Sequence, residues 1–89
     1  MIRERDIEKK ACDLAKKAGW LVFKFVSPAQ RGVPDRIFIK NGEIVFIEFK
    51  APGARPTKLQ HRMIDRLCVQ GCTVHVCDSV ESACDALGI

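Results

Sequence analysis

Two carboxylates are brought together by the stretch VPDRIFIKNGEIVFIEFK, residues 33–50. Asn41-Gly42 is the dipeptide most favoured in two-residue type I′ hairpin turns, because both central residues need a positive φ. If these residues form the turn, the flanking strands pair so that Asp35 faces Glu48. Like charges on directly opposed residues destabilise a sheet. The stretch therefore predicts a hairpin with two carboxylates side by side, an arrangement that needs a compensating positive charge.

A divalent cation would remove this repulsion, because paired carboxylates are hard oxygen ligands that suit Mg²⁺ or Mn²⁺. Lys50 lies on the same face as Glu48, since side chains two residues apart in a strand point the same way. It could orient a water or stabilise charge on a phosphate. The alternative is that Asp35 and Glu48 are solvated rim residues, with Lys50 as a salt-bridge partner that contributes little. Pairing alone leaves both open, because the register depends on the turn.

The remainder of this hairpin face is apolar. Ile37 and Ile39 lie on its first strand, and Ile44 and Phe46 lie on its second. We expect these pairs, which are nearest the turn, to belong to the hydrophobic core. The charged group would then lie at the far end, where the strands open toward two loops.

The other elements follow from periodicity and from residues that break it. Residues 2–18 carry a helical apolar stripe that Gly19 ends, and residues 20–26 form an apolar strand. Thr57 and Gln60 fit a capping box, which predicts the start of a second helix.

The C-terminal part adds a strand and a short helix. Residues 72–77 read as a buried strand, and Asp78 or Ser79 would cap the last helix. A crossover helix between the third and fourth strands implies a parallel, right-handed connection. We therefore predict an α/β fold in which a mixed four-stranded sheet is flanked by helices, with a short C-terminal helix.

The composition predicts one soluble domain spanning residues 1–89. No apolar run approaches the roughly 20 residues of a membrane span, and the charged N-terminus has no secretory signal, so we expect a cytoplasmic protein. The net charge of +4 is compatible with nucleic acid. Five cysteines without a C-x-x-C pair favour buried thiols over a zinc or disulfide site, so a Cys/His metal-binding regulator is not expected.

The residues Pro34-Asp35, followed by Glu48-Phe49-Lys50, resemble the PD-(D/E)xK signature of the restriction-endonuclease-like nucleases. The run GVPD at 32–35, the E-F-K strand and Gln60 after PGARPTKL resemble more closely the VRR-Nuc (virus-type replication-repair nuclease) branch. The resemblance covers nearly the whole chain. It implies the αβββαβ core of that superfamily and a Mg²⁺- or Mn²⁺-dependent hydrolysis of DNA phosphodiester bonds.

By this resemblance, Asp35 and Glu48 are metal carboxylates, and the main-chain carbonyl of Phe49 is a further ligand. Lys50 is the residue that orients water or stabilises charge. A glutamate on the first helix is also expected at the site. We assign it to Glu8, with Glu4 as a second candidate and a solvated helix flank as the alternative.

Gln60 has two interpretations of equal standing. It is the N3 residue of a capping box, and the resemblance makes it an active-site neighbour that contacts substrate or Lys50. Basic residues surround the predicted mouth of the site and are candidates for phosphate contacts, although charged loops are usually only solvated: Arg31, Arg36, Arg55 and Lys58. His61 has no obvious partner and is expected to be an exposed helix residue.

The 89 residues include no zinc module or helix-turn-helix, so we expect the substrate to be chosen by DNA shape. The first hypothesis is a structure-selective endodeoxyribonuclease acting on four-way (Holliday) junctions or other branched DNA in phage or bacterial replication, recombination or repair. The alternatives are a catalytically idle DNA-binding or partner-binding module, and a monomeric nuclease that nicks flaps or duplex.

Two symmetric cuts in a four-way junction need two sites related by a two-fold axis, so we expect a homodimer. The first strand offers apolar surface for one. Trp20, Phe23 and Phe25 alternate there with Leu21, Val22 and Lys24, in a strand that we place at or near an edge of the sheet.

Overall fold

The computed structural model describes residues 1–89 and has seven regular elements. Its helices and strands run in the order predicted from the sequence: α1 (Glu4–Lys17), β1 (Leu21–Lys24), β2 (Arg36–Lys40), β3 (Glu43–Phe49), α2 (Lys58–Val69), β4 (Thr73–Cys77) and α3 (Val80–Leu87). The four strands form one sheet in the order β1-β2-β3-β4. The first two pairings are antiparallel and the β3–β4 pairing is parallel, so the predicted mixed sheet is confirmed.

The hairpin has the predicted turn and register. Asn41 and Gly42 have φ values of 51° and 80°, the positive values that a type I′ turn requires. Lys40 pairs with Glu43, and the ladder continues to Arg36 opposite Ile47. One step further, this register puts Asp35 opposite Glu48.

Helices α1 and α3 pack against each other and against one face of the sheet, and this is where the core lies. Their small buried residues, such as Ala11, Ala15 and Ala83, let the helix backbones approach closely. The sheet contributes large side chains from alternate positions of β2 and β3: Phe38, Val45, Ile47 and Phe49, each at most 1% exposed. The burial of these residues is the sheet's contribution to the hydrophobic core.

The prediction that Ile37, Ile39, Ile44 and Phe46 belong to the hydrophobic core is wrong. Ile37, Ile39 and Phe46 are only partly buried, and Ile44 is 50% exposed. Both faces of this hairpin are apolar in sequence. The helices α1 and α3 cover the face that carries Phe38, Val45 and Ile47 and not the face that was predicted. Helix α2 lies on the side of Glu48 but packs mainly against β4.

The uncovered part of the sheet forms an apolar surface, which we term the open face. Its members come from β1 and its continuation, β2 and β3: Leu21, Phe23, Phe25, Ile37, Ile39, Ile44 and Phe46. Leu21 and Phe23 are 58% and 51% exposed, and the rings of Phe25 and Phe46 lie 5.6 Å apart. Strand β1 is an edge strand, as predicted.

Two predictions about burial need correction. Trp20 does not share the exposed surface of Phe23 but is 6% exposed, because it points toward the helices. Strand β4 was expected to be buried, yet only Cys77 is, and Val76 is 42% exposed. An edge strand has a neighbour on one side only, which leaves its side chains more accessible. None of the helices has the length and apolar character needed to span a bilayer.

Candidate active site

The site lies where β2 begins and β3 ends, beside the first turn of α2. Asp35 immediately precedes β2, and Glu48 is the penultimate residue of β3. Residues facing each other alternate between hydrogen-bonded and non-hydrogen-bonded pairs, and the latter bring side chains closer. Counted from Lys40–Glu43, which closes the turn as a hydrogen-bonded pair, Asp35–Glu48 is a non-hydrogen-bonded pair. The register thus forces the two carboxylates together.

Glu48 is the only buried charged residue of the chain, with 2% of its surface exposed. Its Oε2 atom accepts a hydrogen bond from Gln60 Nε2 at 2.9 Å and lies 3.3 Å from Lys50 Nζ. Its Oε1 atom is buried and has no hydrogen-bond partner. A buried carboxylate oxygen without a partner is costly, which makes Oε1 an oxygen available to a ligand.

Burial, together with the neighbouring charge of Asp35, raises the pKa of Glu48 to about 7. Lys50 acts in the opposite direction but does not compensate. Burial likewise raises the pKa of Asp35, although the backbone N–H of Phe49 opposes this shift. Both carboxyl groups are therefore in an environment that disfavours their charged forms, and a bound cation would favour those forms.

Asp35 and the Phe49 carbonyl also have oxygen atoms that are available to a ligand. The Phe49 backbone N–H donates to Asp35 Oδ2 at 2.7 Å, so this oxygen is oriented and the other carboxylate oxygen is left free. Continuing the register puts Phe49 opposite Pro34, at a hydrogen-bonded position. Because proline has no N–H, this partner offers the Phe49 carbonyl no donor. Pro34 thus leaves that carbonyl available beside Asp35, and its role as a metal ligand stays a prediction.

Gln60 forms the predicted capping box, and its side chain contacts Glu48 and not Lys50. Its role in catalysis stays a prediction. Its backbone N–H donates to Thr57 Oγ1 at 3.2 Å, and its Oε1 accepts from the Thr57 N–H at 2.9 Å. These two bonds form the predicted capping box of α2. Since Oε1 is held by the cap, the amide must turn its Nε2 toward Glu48.

Gly32 seats the loop before Asp35 against α2. It has a φ of +84°, and a Cβ at this position would lie 2.8 Å from the Leu59 carbonyl oxygen. A larger residue would therefore push the loop away from the helix turn that carries Gln60. Gly32 and Pro34 belong to the GVPD motif and Thr57 to the predicted capping box, but no role at the site was predicted for these three residues. The capping pattern and the extended register are signals from which the roles of Thr57 and Pro34 could have been inferred.

Glu8 reaches the sheet but does not contact the carboxylate pair. Its Oε2 accepts from Arg36 Nε at 2.7 Å, and both side chains are largely shielded from water. This hydrogen bond raises the pKa of Arg36, while the charge of Glu8 contributes to the raised pKa of Asp35. Glu8 is thus within electrostatic range of the site and is held by the residue next to Asp35. Its catalytic role stays a prediction.

The four basic residues predicted to contact DNA have different surroundings. Arg36 is engaged by Glu8, whereas Arg31, Arg55 and Lys58 are exposed and make no ion pair. Arg55 lines a cleft of about 340 Å³ with His61 and Asp78. Asp78 Oδ2 also accepts from the Gly53 N–H, which ties this loop to the end of β4.

No three His, Cys, Asp or Glu side chains converge as metal ligands in the chain. A cation here would instead be held by two carboxylates, the Phe49 carbonyl and water. That set fits Mg²⁺, which usually keeps several waters and binds through one or two carboxylates. The buried, unpartnered Oε1 of Glu48 is the observation that favours such a ligand.

Comparison with known proteins identifies this arrangement. Residues 6–81 match the model of the VRR-NUC domain. The chain belongs to the VRR-NUC domain family. It is 49% identical over 80 residues to "Putative nuclease p44" of Acyrthosiphon pisum secondary endosymbiont phage 1, with 89% of this chain and 86% of that protein covered.

A solved structure shows the same fold. A protein described as "VRR_NUC domain" superposes with a TM-score of 0.88 at 26% sequence identity, and the match covers 99% of this chain and 97% of the other. The family resemblance and the fold class predicted from the sequence are both confirmed. The chain is accordingly a member of a nuclease family.

Proposed function

We propose that this VRR-NUC protein is a Mg²⁺- or Mn²⁺-dependent endodeoxyribonuclease that selects its DNA by structure, with four-way junctions as the preferred substrate. The observation that carries the metal dependence is Glu48 Oε1. This oxygen is buried, unpaired and adjacent to a second carboxylate whose pKa is also raised. A pure DNA-binding surface gains nothing from such a pair, since carboxylates repel phosphate.

The proposed residue roles follow from the contacts. Asp35, Glu48 and the Phe49 carbonyl would hold the cation, which when bound would activate water and stabilise charge on the phosphate. Lys50 lies 3.3 Å from Glu48 and its side chain is 14% exposed, so its ammonium is shielded from bulk water beside the reacting phosphate. Gln60 fixes the orientation of Glu48. In the hydrolysis, a water oxygen bonds to phosphorus while the bond from phosphorus to one ester oxygen breaks.

A homodimer through the open face is proposed for junction cleavage. Monomeric proteins rarely expose apolar patches larger than a few hundred Å², and the open face joins seven apolar side chains from three adjacent strands. A two-fold axis through this surface would relate two identical sites. Such an arrangement allows paired cuts on opposing strands.

The test is incubation with labelled four-way junction, flap, linear duplex and single-stranded DNA, each with Mg²⁺, Mn²⁺ or EDTA. We expect cleavage with either metal, none with EDTA, and the fastest cleavage on the junction. Binding without cleavage under every metal condition would favour an idle DNA-binding module. Metal-dependent nicking without a preference for junctions would retain the nuclease and remove the junction specificity.

A further inference from the structure

A second basic surface lies on the opposite side of the sheet from the loops with Arg31, Arg55 and Lys58. It is a cleft of about 390 Å³ between α1 and the start of β2. Four cations and two carboxylates line it, with Cys12 as its buried floor: Arg5, Lys9, Lys16, Arg36, Glu8 and Asp13. None of its cationic residues except Arg36 was considered in the sequence analysis.

The two carboxylates of this cleft are already paired within the protein. Glu8 is bound to Arg36 at 2.7 Å, and Asp13 is bound to Lys9 at 3.0 Å. Arg5 and Lys16 are exposed and make no ion pair or side-chain hydrogen bond. The cleft therefore presents two uncompensated positive charges to an external partner.

The spacing of these charges favours a polyanion over a small anion. Arg5 and Lys16 are eleven residues apart on one face of α1, which is about 16 Å at 1.5 Å per residue. One strand of B-DNA carries a phosphate about every 3.4 Å along the axis. The two cations thus span about five nucleotides, whereas a single phosphate could not contact both.

The cleft reaches the strand end that carries the candidate active site, although it lies on the other face of the sheet. Arg36, which lines the cleft, is the first residue of β2, and Asp35 immediately precedes it. A DNA arm lying in this cleft would therefore pass the end of the sheet that carries the carboxylate pair. The loop basic residues lie on the Glu48 side of the sheet, so they would contact a different segment of DNA.

We propose that the α1–β2 cleft binds the phosphate backbone of a second DNA arm through Arg5 and Lys16. This inference rests on the proposed function and specifies how that site selects branched DNA. A linear duplex can occupy only one side of the active site. A junction or flap can place one arm against the loops and another in the cleft.

The test compares two double variants of the full chain. Arg5→Gln with Lys16→Gln removes the two free cations of the cleft. Lys10→Gln with Lys17→Gln removes two exposed cations from another face of the same helix, with the same change in net charge. Affinity for a four-way junction and for a linear duplex is measured by fluorescence anisotropy in EDTA, over a range of salt concentrations.

We expect the cleft variant to lose at least fivefold in junction affinity near 100 mM salt. Its slope of log affinity against log salt should fall by about two, since each lost phosphate contact removes about 0.9. Duplex affinity should change less than twofold, and the control variant should bind both DNAs like the wild type. Equal losses in the two variants, or an equal loss for duplex and junction, would overturn the proposal.

The behaviour of the wild type distinguishes failure of the nuclease proposal from failure of the cleft proposal. If the wild type binds neither DNA, the nuclease proposal itself fails. If the wild type binds and cleaves DNA but the cleft variant keeps the wild-type affinity and salt slope, only the cleft is excluded. An acidic protein partner would then be the remaining chemistry for this surface.

Discussion

At the residue scale, the chemistry is concentrated in Glu48. Burial and the adjacent Asp35 raise its pKa to about 7, against an ordinary value of 4.5. Between pH 4.5 and about pH 7, Glu48 is therefore protonated in the folded, metal-free protein, whereas the same carboxyl group is ionised in the unfolded chain. Stability conferred by this group is present below about pH 4.5 and is lost as the pH rises through about 7.

Glu48→Gln tests this dependence because glutamine is neutral at every pH. In EDTA we expect the variant and the wild type to melt at similar temperatures near pH 5. The variant should be more stable near pH 8, where the wild type must bury a charge. Thermal denaturation at the two pH values measures the difference. A melting-temperature offset that does not change with pH would contradict the raised pKa.

Glu8 differs from Glu4 in its surroundings, and the two should differ in effect. Glu8 pairs with Arg36 at 2.7 Å and its charge acts on Asp35, whereas Glu4 makes no ion pair and its charge acts on Glu48. The ion pair holds Glu8 next to the site, and Glu4 has no such anchor. We expect Glu8→Gln to reduce the cleavage rate at least tenfold more than Glu4→Gln does. Initial rates on a labelled junction decide this, with melting temperatures as the check on folding. Equal and mild effects of the two variants would show that the Glu8–Arg36 ion pair is purely structural.

At the element scale, the N-terminus of α2 links helix capping to the orientation of Glu48. Gln60→Met removes the side-chain half of the capping box together with the hydrogen bond to Glu48. Ser82→Ala is the matched control, because Ser82 is the N3 residue of the second capping box, on α3, and that box does not touch the site. Each variant loses the N3 side-chain hydrogen bond to the N-cap N–H and keeps the N-cap residue, so each should lose about 1 kcal/mol or less.

We therefore expect both variants to lose stability while only Gln60→Met weakens Mn²⁺ binding, by severalfold. Calorimetric titration with Mn²⁺ measures the affinity, and thermal denaturation measures the cost of the lost cap. If the two variants bind Mn²⁺ equally well, Gln60 is a helix cap and nothing more.

The elements also show how much of the site can be predicted from sequence. The turn at Asn41-Gly42 determines the register, and the register alone brings Asp35 opposite Glu48. The capping box could be predicted because its residues lie within one helix turn. These are local relations, and the sequence contains all the information they need.

Two features could not be predicted because they depend on packing. The hairpin is apolar on both faces, so alternation does not reveal that α1 and α3 cover Phe38 and Ile47 and leave Ile44 exposed. The Glu8–Arg36 pair joins residues 28 apart in the chain. It depends on where α1 crosses the sheet, which periodicity does not determine.

At the scale of the whole molecule, the open face and the two basic surfaces have different roles in the proposed function. The open face offers apolar surface to a second copy, while the basic surfaces offer phosphate contacts on both sides of the site. Ile44→Lys would place a charge within the proposed dimer contact. Val69→Lys is the control, since Val69 is 83% exposed on α2 and lies outside the open face.

We expect the wild type and Val69→Lys to sediment at about twice the 10.0 kDa chain mass at micromolar concentration. Ile44→Lys should sediment at the mass of one chain, because desolvating a lysine in an apolar contact is unfavourable. The dimer should also linearise a cruciform plasmid within one binding event. A wild type that sediments as a single chain and only nicks the plasmid would refute the dimer.

The central claim is that Asp35 and Glu48 hold a divalent cation beside Lys50. Calorimetric titration of Mn²⁺ into the wild type, Asp35→Asn, Glu48→Gln and Lys50→Ala tests it most directly, with junction cleavage measured on the same samples. We predict that each carboxylate variant loses both Mn²⁺ binding and cleavage, while Lys50→Ala loses cleavage and still binds Mn²⁺. Wild-type Mn²⁺ affinity in both carboxylate variants would contradict the metal site.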